Sequence, residues 1–413
     1  MPDPELILFD DEVARRWEPF ALTRPAGELL FGVLTLRARS ERALGLRCTG
    51  HIGADHLAGF EEPDAPGMVD REDVGIDSDR LYLSSRFVPQ WGAGDGTSVA
   101  YGRGAVRTGG GEVVGWFSPG GSPGPGDDFV LDPESSGDAG STVLQGELLP
   151  KVWDLVPRNP DQTARDIEAI AIGKASAELP RGAYQWGSHP LIVDPSATIE
   201  PGAAFDTSEG PIWIDRGAAV RAFTRLVGPA YIGRGSKALG GAIEAVSVGP
   251  VCRVRGELAE SVCAGYVNKQ HDGHMGHAYL GRWVNLGAET TNSDLKNNYG
   301  TIRVWTPEGD VDTGETKMGS LIGDHVKTGI GLLLNTGTVI GAGSNLYGAA
   351  MPPKYVPPFS WGTGDELVEY RLDKFLEVAE RAMERRDVSL STSLREQLGR
   401  AWKRGRASPG TDR

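Results

Sequence analysis

The second half of the chain repeats an apolar residue at every sixth position. The members of this repeat are Val193, Ile199, Phe205, Ile214, Val220, Leu226, Ile232, Ala238, Leu280, Leu286, Ile322, Thr328, Leu334, Ile340 and Leu346. A period of six is neither helical nor a simple strand alternation. It is typical of a three-sided coil in which each short side contributes one inward side chain and stacked coils share a core. We therefore predict a left-handed parallel β-helix over residues 189–350.

The regions on either side of this repeat have different patterns and divide the 413-residue chain into four parts. Residues 1–150 contain strand patterns and a helical pattern separated by glycine and proline, which favours an α/β domain. Residues 151–188 are predicted to form a helical connector. Residues 351–413 are predicted to form a helical tail that covers the open edge of the last coil.

Local patterns give finer expectations for each part. Strands are expected at 6–9 and 81–88. Helices are expected over four segments, namely 32–45, 150–171 with a break, 364–388 and 393–404. The glycine-rich stretch 91–128 is predicted to be loop or hairpin. Segment 265–300 breaks the six-residue period and is predicted to loop out of the coil.

Composition narrows the class of function. The net charge is −14, whereas a nucleic-acid binder normally has a basic face, so no nucleic-acid partner is expected. No apolar stretch is long enough to span a membrane, and the N-terminus lacks the features of a secretory signal. The three cysteines lie far apart in the sequence, which fits a reducing compartment. These features predict a soluble cytoplasmic protein.

Four segments of the second half carry a family resemblance. They read VGPVCRVRG at 248–256, GYVNK at 265–269, HAYLGRWVNLGAETTNSDLKNNYG at 277–300 and PPKYVPPFSWG at 352–362. Together they resemble the GlmU-like bifunctional sugar nucleotidyltransferases/acetyltransferases, and in particular an alternative bacterial branch of that family. The resemblance extends to the N-terminus through FDD at 9–11, LTRP at 22–25, and Gly32 with TLR at 35–37.

This resemblance implies a transferase with two activities. The β-helix would acetylate glucosamine-1-phosphate from acetyl-CoA, its co-substrate. The N-terminal domain would transfer UMP from UTP to N-acetylglucosamine-1-phosphate, which gives UDP-N-acetylglucosamine. The expected partners are therefore the small molecules UTP, a sugar-1-phosphate and acetyl-CoA. A homotrimer is implied as well, because hexapeptide acyltransferases place their sites between neighbouring coils.

The resemblance also assigns roles to residues of the β-helix. His277 is the implied general base, which takes a proton from the sugar amine. Asn298 is implied to orient that base and the thioester, with Asn292 as a rival. Arg255 and Lys269 match positions that hold the sugar phosphate, although both could instead be solvent-facing charges. Tyr279 and Asn285 match sugar-contacting positions, and Asn285 could alternatively be a corner asparagine that stacks on its neighbours.

The N-terminal domain departs from the usual nucleotidyltransferase pattern. The glycine-rich loop that normally cradles the triphosphate is replaced by LILFDDEVARR at 6–16. Three basic residues that could contact nucleotide phosphates remain, namely Arg24, Arg37 and Arg39. Asp10 and Asp11 could hold Mg²⁺, which carboxylates and phosphates ligate jointly. The alternative is a degenerate domain with a structural role only.

Three further alternatives stay open at this level. One is a protein that keeps only one of the two activities. Another is a β-helix zinc lyase similar to the γ-class carbonic anhydrases, with His271, His274 and His277 as ligands. Those three histidines are also the candidates for the general base. The last is a non-catalytic sugar-nucleotide-binding protein.

Overall fold

The fold consists of an α/β domain, a parallel β-helix and C-terminal helices, as the sequence predicts. This computed structural model describes residues 3–91, 101–136, 142–171 and 173–407. Residues 92–100 of the glycine-rich stretch lie outside that range, and the remainder includes an antiparallel hairpin, as expected. No helix in the described ranges is long and apolar enough to cross a membrane.

The N-terminal domain is built from ten short strands and four helices in the described residues. The strands are β1 (Glu5–Phe9), β2 (Leu30–Phe31), β3 (Leu34–Thr35), β4 (Cys48–Ile52), β5 (Arg80–Ser84), β6 (Phe87–Pro89), β7 (Gly104–Thr108), β8 (Val113–Ser118), β9 (Thr142–Leu144) and β10 (Gly146–Leu148). The helices are α1 (Glu12–Arg15), α2 (Leu36–Leu44), α3 (Asp127–Leu131) and α4 (Asn159–Ile170). Strands β1 and β5 and the segmented helix of 150–171 confirm the local predictions.

A mixed sheet of order β4-β1-β5-β8-β7-β9 forms the centre of this domain. Strand β1 runs parallel to both of its neighbours, so the carboxyl ends of β4, β1 and β5 meet at one edge. Four consecutive residues of β1 are buried because both faces of the sheet are covered, which explains its unbroken apolar run. Helix α2 begins later than predicted, since Thr35 pairs within β3 and caps the helix through its hydroxyl.

The β-helix has three faces of stacked parallel strands. Face A contains β12 (Leu191–Val193), β15 (Ile212–Ile214), β18 (Ala230–Ile232), β20 (Ser247–Val248), β22 (Val262–Cys263), β25 (Tyr279–Leu280), β29 (Leu321–Ile322), β32 (Val339–Ile340) and β34 (Tyr355–Val356). Face B contains β13 (Thr198–Ile199), β16 (Ala219–Val220), the first parts of β19 (Lys237–Glu244) and β21 (Arg253–Ala259), β23 (Asn268–Lys269), β30 (Lys327–Thr328), β33 (Asn345–Leu346) and β35 (Ser360–Gly362).

Face C completes the coil with β11 (Tyr184–Gly187), β14 (Ala204–Thr207), β17 (Thr224–Val227), the second parts of β19 and β21, β24 (His274–Gly276), β26 (Thr291–Asn292) and β31 (Leu333–Leu334). The predicted inward residues form the shared core, with Ile199 only partly buried. Thr328 is the polar member of the repeat. Its hydroxyl lies 2.8 Å from that of Thr290, so the buried group has a hydrogen-bond partner.

The corners between faces carry residues with left-handed backbone, which is unfavourable for side chains other than glycine. Between faces A and B, Tyr266, Trp283, His325 and Phe359 all have φ of 54–64°. Their rings form a column, and the centroids of Tyr266 and Trp283 are 4.0 Å apart. The stacking and burial of these rings offset the backbone cost at this corner.

One prediction about the coil is wrong in its boundaries. Residues 274–292 do not loop out, because β24 and β25 pair with the preceding coil. The chain leaves the coil after β26, forms the hairpin of β27 (Arg303–Thr306) and β28 (Gly309–Asp312), and returns at β29. The six-residue period breaks because this excursion is inserted between faces C and A.

The C-terminal region packs along the coil. Strand β36 (Leu367–Glu369) pairs with β35, so helix α5 (Leu372–Glu384) begins after the start predicted for it. Helix α6 (Thr392–Ala407) follows. The apolar face of α5 contacts the aromatic corner column, where the ring centroids of Phe375 and Phe359 are 5.0 Å apart. The helices thus cover a lateral corner, while β36 extends face B.

Face A of the coil is covered by the N-terminal domain. Tyr279 lies at the centre of this interface and is fully buried. Its hydroxyl accepts a hydrogen bond from the amide of Leu30 at 2.8 Å and donates one to the carbonyl of Leu30 at 3.1 Å. Its ring lies 4.6 Å from that of Phe20. Tyr279, the predicted sugar contact, therefore joins the two domains in this structure.

We expect Tyr279→Phe to lower the free energy of unfolding by about 1–3 kcal/mol, because the main chain of Leu30 loses two hydrogen bonds in a buried interface. Chemical denaturation of the full chain measures this change. Tyr299→Phe is the matched control, since Tyr299 is 73% exposed. Equal stability of the two variants would contradict the anchoring role of Tyr279.

Candidate active site

His277 occupies the corner between faces C and A, directly after β24. Its backbone is left-handed, with φ of 47°, and the corner residues of the two preceding coils, Glu260 and Ala245, have φ of 44° and 51°. Coils stack in register, so the side chain of His277 lies next to that of Glu260. The side chain of His277 lies at this corner and not in the apolar core of the coil, and the residue is 6% exposed.

Two carboxylates hold the imidazole of His277 from opposite sides. Its Nδ1 lies 2.7 Å from Oδ2 of Asp294, and its Nε2 lies 3.1 Å from Oε2 of Glu260. Next to it, Nδ1 of His274 lies 3.3 Å from Oε1 of Glu257. Asp294 comes from the start of the excursion, while the two glutamates belong to the preceding coil. The site is thus an ordered row of carboxylates and imidazoles.

The strand ladder fixes this row. Glu257 pairs with His274 in the register of β21 and β24. Asn292 continues the ladder through its side chain, which accepts a hydrogen bond from the Gly276 amide and donates one to the Gly276 carbonyl, both at 2.9 Å. A side chain at Gly276 would collide with Asp294, because an added Cβ would lie 2.3 Å from Oδ2. Asn292 and Gly276 therefore position the site.

The electrostatics favour a charged imidazole. Burial lowers the pKa of His277, but the hydrogen bonds and charges of Asp294 and Glu260 outweigh it and raise this pKa to about 9. The pKa of Asp294 is well below its usual range because of its hydrogen bonds to His274 and His277. With a carboxylate as acceptor on each side, both ring nitrogens donate. Removal of one carboxylate from Nε2 would free that nitrogen to act as a base.

For a reaction in which His277 acts as the base, we expect Glu260→Gln to shift the acid limb of the pH profile to lower pH. A base must be deprotonated, and a raised pKa places that change near pH 9 in the free protein. Loss of the Glu260 charge lowers this pKa, so relative activity at neutral pH rises. The pH dependence of kcat/KM measures the shift. Glu257→Gln, whose carboxylate faces His274, should leave the limb in place.

The two residues predicted to hold a sugar phosphate lie in different settings. Lys269 is buried, and its Nζ donates to the carbonyl oxygens of Arg255 at 2.7 Å, His271 at 3.2 Å and Gly273 at 2.7 Å. Burial lowers its pKa to about 8. Arg255 is exposed and pairs with Asp272 at 3.1 Å. In this structure the ammonium of Lys269 holds three main-chain carbonyl groups in place, while the guanidinium of Arg255 is accessible to a ligand.

The two asparagines predicted to contact or orient the substrate do not lie together with His277. Asn285 is on face B, where its Oδ1 accepts a hydrogen bond from Nδ2 of Asn268 at 2.8 Å. This matches the alternative of a stacked corner asparagine. Asn298 is exposed in the excursion, and its side chain accepts a hydrogen bond from the Gly300 amide. Among the predicted residues, the structure brings Asn292 closest to the role of orienting His277.

Glu260 and Asp294 were missed by the sequence reasoning, although a signal was present. The coil around the site is 17 residues long, so residues that differ by 17 positions stack. Glu260, His277 and Asp294 are spaced by this interval, as are Glu257 and His274. A search for titratable residues at the local coil length would have found both carboxylates.

In the N-terminal domain, Asp10 and Asp11 follow β1 at the edge where three parallel strands end, a usual place for ligand sites. Both oxygens of Asp11 are held by Arg86, with the closest contact at 2.6 Å. Asp10 accepts from the Ala26 amide, and burial raises its pKa. As they lie, these carboxylates do not fit a Mg²⁺ site, because Asp11 is paired with Arg86 and Asp10 is buried and hydrogen-bonded to the main chain.

The three arginines predicted to bind nucleotide phosphates lie in interior ion pairs. Arg24 pairs with Asp324 and Glu62, both at 2.7 Å, and so ties the N-terminal domain to the coil. Arg37 pairs with Glu28 at 2.5 Å. Arg39 is fully buried. Arg24 also lines a cavity of about 370 Å³, but its ion-pair partners Glu62 and Asp324 line the same cavity.

The zinc alternative required three histidines around one ion. His271 is exposed at a turn, whereas His274 and His277 contact carboxylates on faces C and A. In the described ranges no group of three or more histidine, cysteine, aspartate or glutamate side chains has the geometry to hold a metal. The arrangement instead matches a base flanked by carboxylates.

Comparison with known proteins adds to this picture. Residues 6–175 match the family model described as sugar nucleotidyl transferase. This stretch, which is less than half of the chain, is therefore similar to sugar nucleotidyl transferase domains. A 95-residue stretch is 30% identical to a bifunctional sugar-1-phosphate nucleotidylyltransferase/acetyltransferase of Sulfurisphaera tokodaii and covers 23% of this chain. It spans only 24% of that relative. The GlmU-like resemblance predicted from the sequence is confirmed at this level.

The solved structures that match this chain are only distantly similar to it. A hexapeptide transferase family protein from Anaplasma phagocytophilum is 14% identical, with 51% of this chain and 96% of that chain covered and a TM-score of 0.26. AntD, an N-acyltransferase from Bacillus cereus solved as a mutant with dTDP-4-amino-4,6-dideoxyglucose and coenzyme A, is 12% identical. The match covers 49% of this chain and 91% of the AntD chain, with a TM-score of 0.23.

Proposed function

We propose that the β-helix transfers an acetyl group from acetyl-CoA to the amine of an amino sugar-1-phosphate, with His277 as general base. The observation that carries this proposal is the Asp294–His277–Glu260 row on an outward corner of the coil. An imidazole held by one carboxylate at Nδ1 can act as a general base once Glu260 moves away from its Nε2. Glucosamine-1-phosphate is the acceptor that the family resemblance suggests.

The chemistry follows from the two carboxylates. The acceptor arrives as an ammonium, which is attracted to Glu260 and draws this carboxylate away from Nε2 of His277. The ammonium and the imidazolium of His277 each release one proton to solvent. The neutral amine then attacks the thioester carbonyl, and Nε2 takes the proton released as the C–N bond forms. Asp294 keeps Nδ1–H in place and stabilises the imidazolium. The imidazolium then returns the proton to the departing CoA thiolate.

We propose nucleotidyl transfer as the second activity, located in the N-terminal domain. Its support is the family match over residues 6–175. Phosphates are held mainly by positioning and charge in such reactions, so the domain can differ in detail from relatives with a glycine-rich loop. UTP and N-acetylglucosamine-1-phosphate are the proposed substrates, a homotrimer is the proposed assembly, and the cytoplasm is the proposed location.

The test is a two-product assay on the purified full chain. The protein is incubated with glucosamine-1-phosphate, acetyl-CoA and UTP supplied as its Mg²⁺ complex, and free CoA and pyrophosphate are followed separately. A parallel reaction receives N-acetylglucosamine-1-phosphate in place of the amine and acetyl-CoA, which isolates the nucleotidyl step. Release of both products supports the two proposed activities.

Each activity can fail alone. CoA release without pyrophosphate in either reaction would refute nucleotidyl transfer and leave a structural N-terminal domain. Pyrophosphate release without CoA would refute acetyl transfer to this acceptor. Sedimentation of the same preparation tests the homotrimer, and a monomeric chain with full activity would contradict that part of the proposal.

A further inference from the structure

A basic groove lies between α5 and face B, away from the corner that carries His277. It has a volume of about 260 Å³ and is lined by Tyr266, Asn268, Trp283, Val284, Asn285, Lys327, Val378, Arg381, Ala382, Arg385 and Arg386. Four of these residues are basic, and none is acidic. In a chain with a net charge of −14, a pocket lined by cations without carboxylates marks a specific place for an anion.

Two of the four cations of this groove have partners: Arg381 pairs with Glu377 at 3.6 Å, and Lys327 donates to the carbonyl oxygens of Trp283 and His325. The other two, Arg385 and Arg386, have no carboxylate within ion-pair distance in the part of the chain that the structure describes. The Nε of Arg386 is buried without a hydrogen-bond partner. Arg253 adjoins the groove, and its pKa is lowered by burial and then by repulsion from Arg386. A bound anion would accept a hydrogen bond from Nε of Arg386 and would reduce the repulsion between Arg253 and Arg386.

The walls indicate more than a bare phosphate. Trp283 and Tyr266, whose rings stack on each other with centroids 4.0 Å apart, give the groove an aromatic wall. Its floor offers the amide of Asn285, whose Oδ1 is used by Asn268 so that its N–H donors remain. Arg381 and Arg385 are one helical turn apart, which spaces two guanidinium groups along the groove. Adjacent phosphates attached to a planar, partly apolar group fit this combination.

We propose that the groove binds the diphosphate of a nucleoside diphosphate ester, with Arg385 and Arg386 as its main ligands. This site lies on a different face of the coil from His277, and it does not depend on the proposed acyl transfer. Nucleotides and coenzyme A both contain this chemistry. The experiment therefore compares inorganic pyrophosphate, UDP and coenzyme A as probes.

Isothermal titration calorimetry of the full chain tests the site. We expect a binding event that becomes about tenfold or more weaker in the Arg385→Gln, Arg386→Gln double variant, because two charge-assisted hydrogen bonds are lost. The same event should weaken with added salt. Lys374→Gln is the matched control, since Lys374 is an exposed cation on the same helix outside the groove.

The relative affinities identify the source of the ligand. Tighter binding of UDP than of pyrophosphate supports a nucleotide ligand, and tighter binding of coenzyme A supports an acyl carrier. Melting temperatures of the variants confirm that each is folded. The proposal is overturned if none of the three probes binds to the wild-type protein. It is also overturned if the double variant is folded and binds all three probes with the same affinity as the wild type.

Discussion

Replacement of His277 by asparagine is expected to lower kcat/KM for acetyl transfer by about 10²–10⁴-fold, the usual contribution of a general base. Asparagine tolerates the left-handed backbone that His277 adopts, so the corner should keep its conformation. The loss should fall on kcat, because the imidazole acts as the C–N bond forms. Continuous measurement of free CoA with varied acceptor concentration separates kcat from KM.

Two comparisons make this prediction specific. His271→Ala removes an exposed histidine six positions earlier and should leave acetyl transfer unchanged. Pyrophosphate release from UTP and N-acetylglucosamine-1-phosphate should also be unchanged in His277→Asn, because that step belongs to the other domain. Wild-type CoA release by His277→Asn would refute the base assignment. A parallel loss of both products would indicate instead that the corner is needed for folding.

The coil could be predicted because its rule is local. Each coil must place one small or apolar side chain inward per face, so the six-residue period appears directly in the sequence and the core residues follow from it. The same rule led to the wrong start for the segment that leaves the coil. A break in the period shows that an insertion exists, but only the pairing of β24 with β21 shows where it begins.

The candidate site was predictable in part. His277 followed from a motif, whereas Glu260 and Asp294 meet it only because three coils stack at an interval of 17 residues. The role of Tyr279 depends on a domain interface more than 200 positions away in sequence, which no local pattern reports. A residue whose chemical type suits a substrate contact can thus have a structural role instead, as Tyr279 does in the domain interface.

The arginines of the N-terminal domain show the same limit. A basic residue in a domain that resembles nucleotidyltransferases suggests a phosphate contact, but Arg39 is 0% exposed and its Nη1 and Nη2 lie 2.5 Å and 2.7 Å from the carboxylate of Asp166. Asp166 comes from α4, far along the chain. The sequence gives the charge of each residue but does not show that the two charges neutralise each other in the interior.

Asp166→Ala is therefore expected to lower the free energy of unfolding by about 3–5 kcal/mol, as is usual when one partner of a buried ion pair is removed. The Asp166 carboxylate also accepts hydrogen bonds from the Val33 amide at 2.9 Å, the Trp91 indole at 2.8 Å and the Gln162 amide at 2.8 Å. Its loss leaves the Arg39 guanidinium charged and without its carboxylate in the interior.

Chemical denaturation followed by circular dichroism measures this loss. Glu168→Ala is the matched control, because it removes an exposed carboxylate from the same helix and should change stability by less than about 0.5 kcal/mol. Arg39→Met replaces the charge by an apolar chain of similar length and should also destabilise, since Asp166 then lies buried without a cation. If Arg39→Met instead kept wild-type stability and raised the KM for UTP, Arg39 would be a nucleotide ligand and its ion pair with Asp166 would be dispensable for folding.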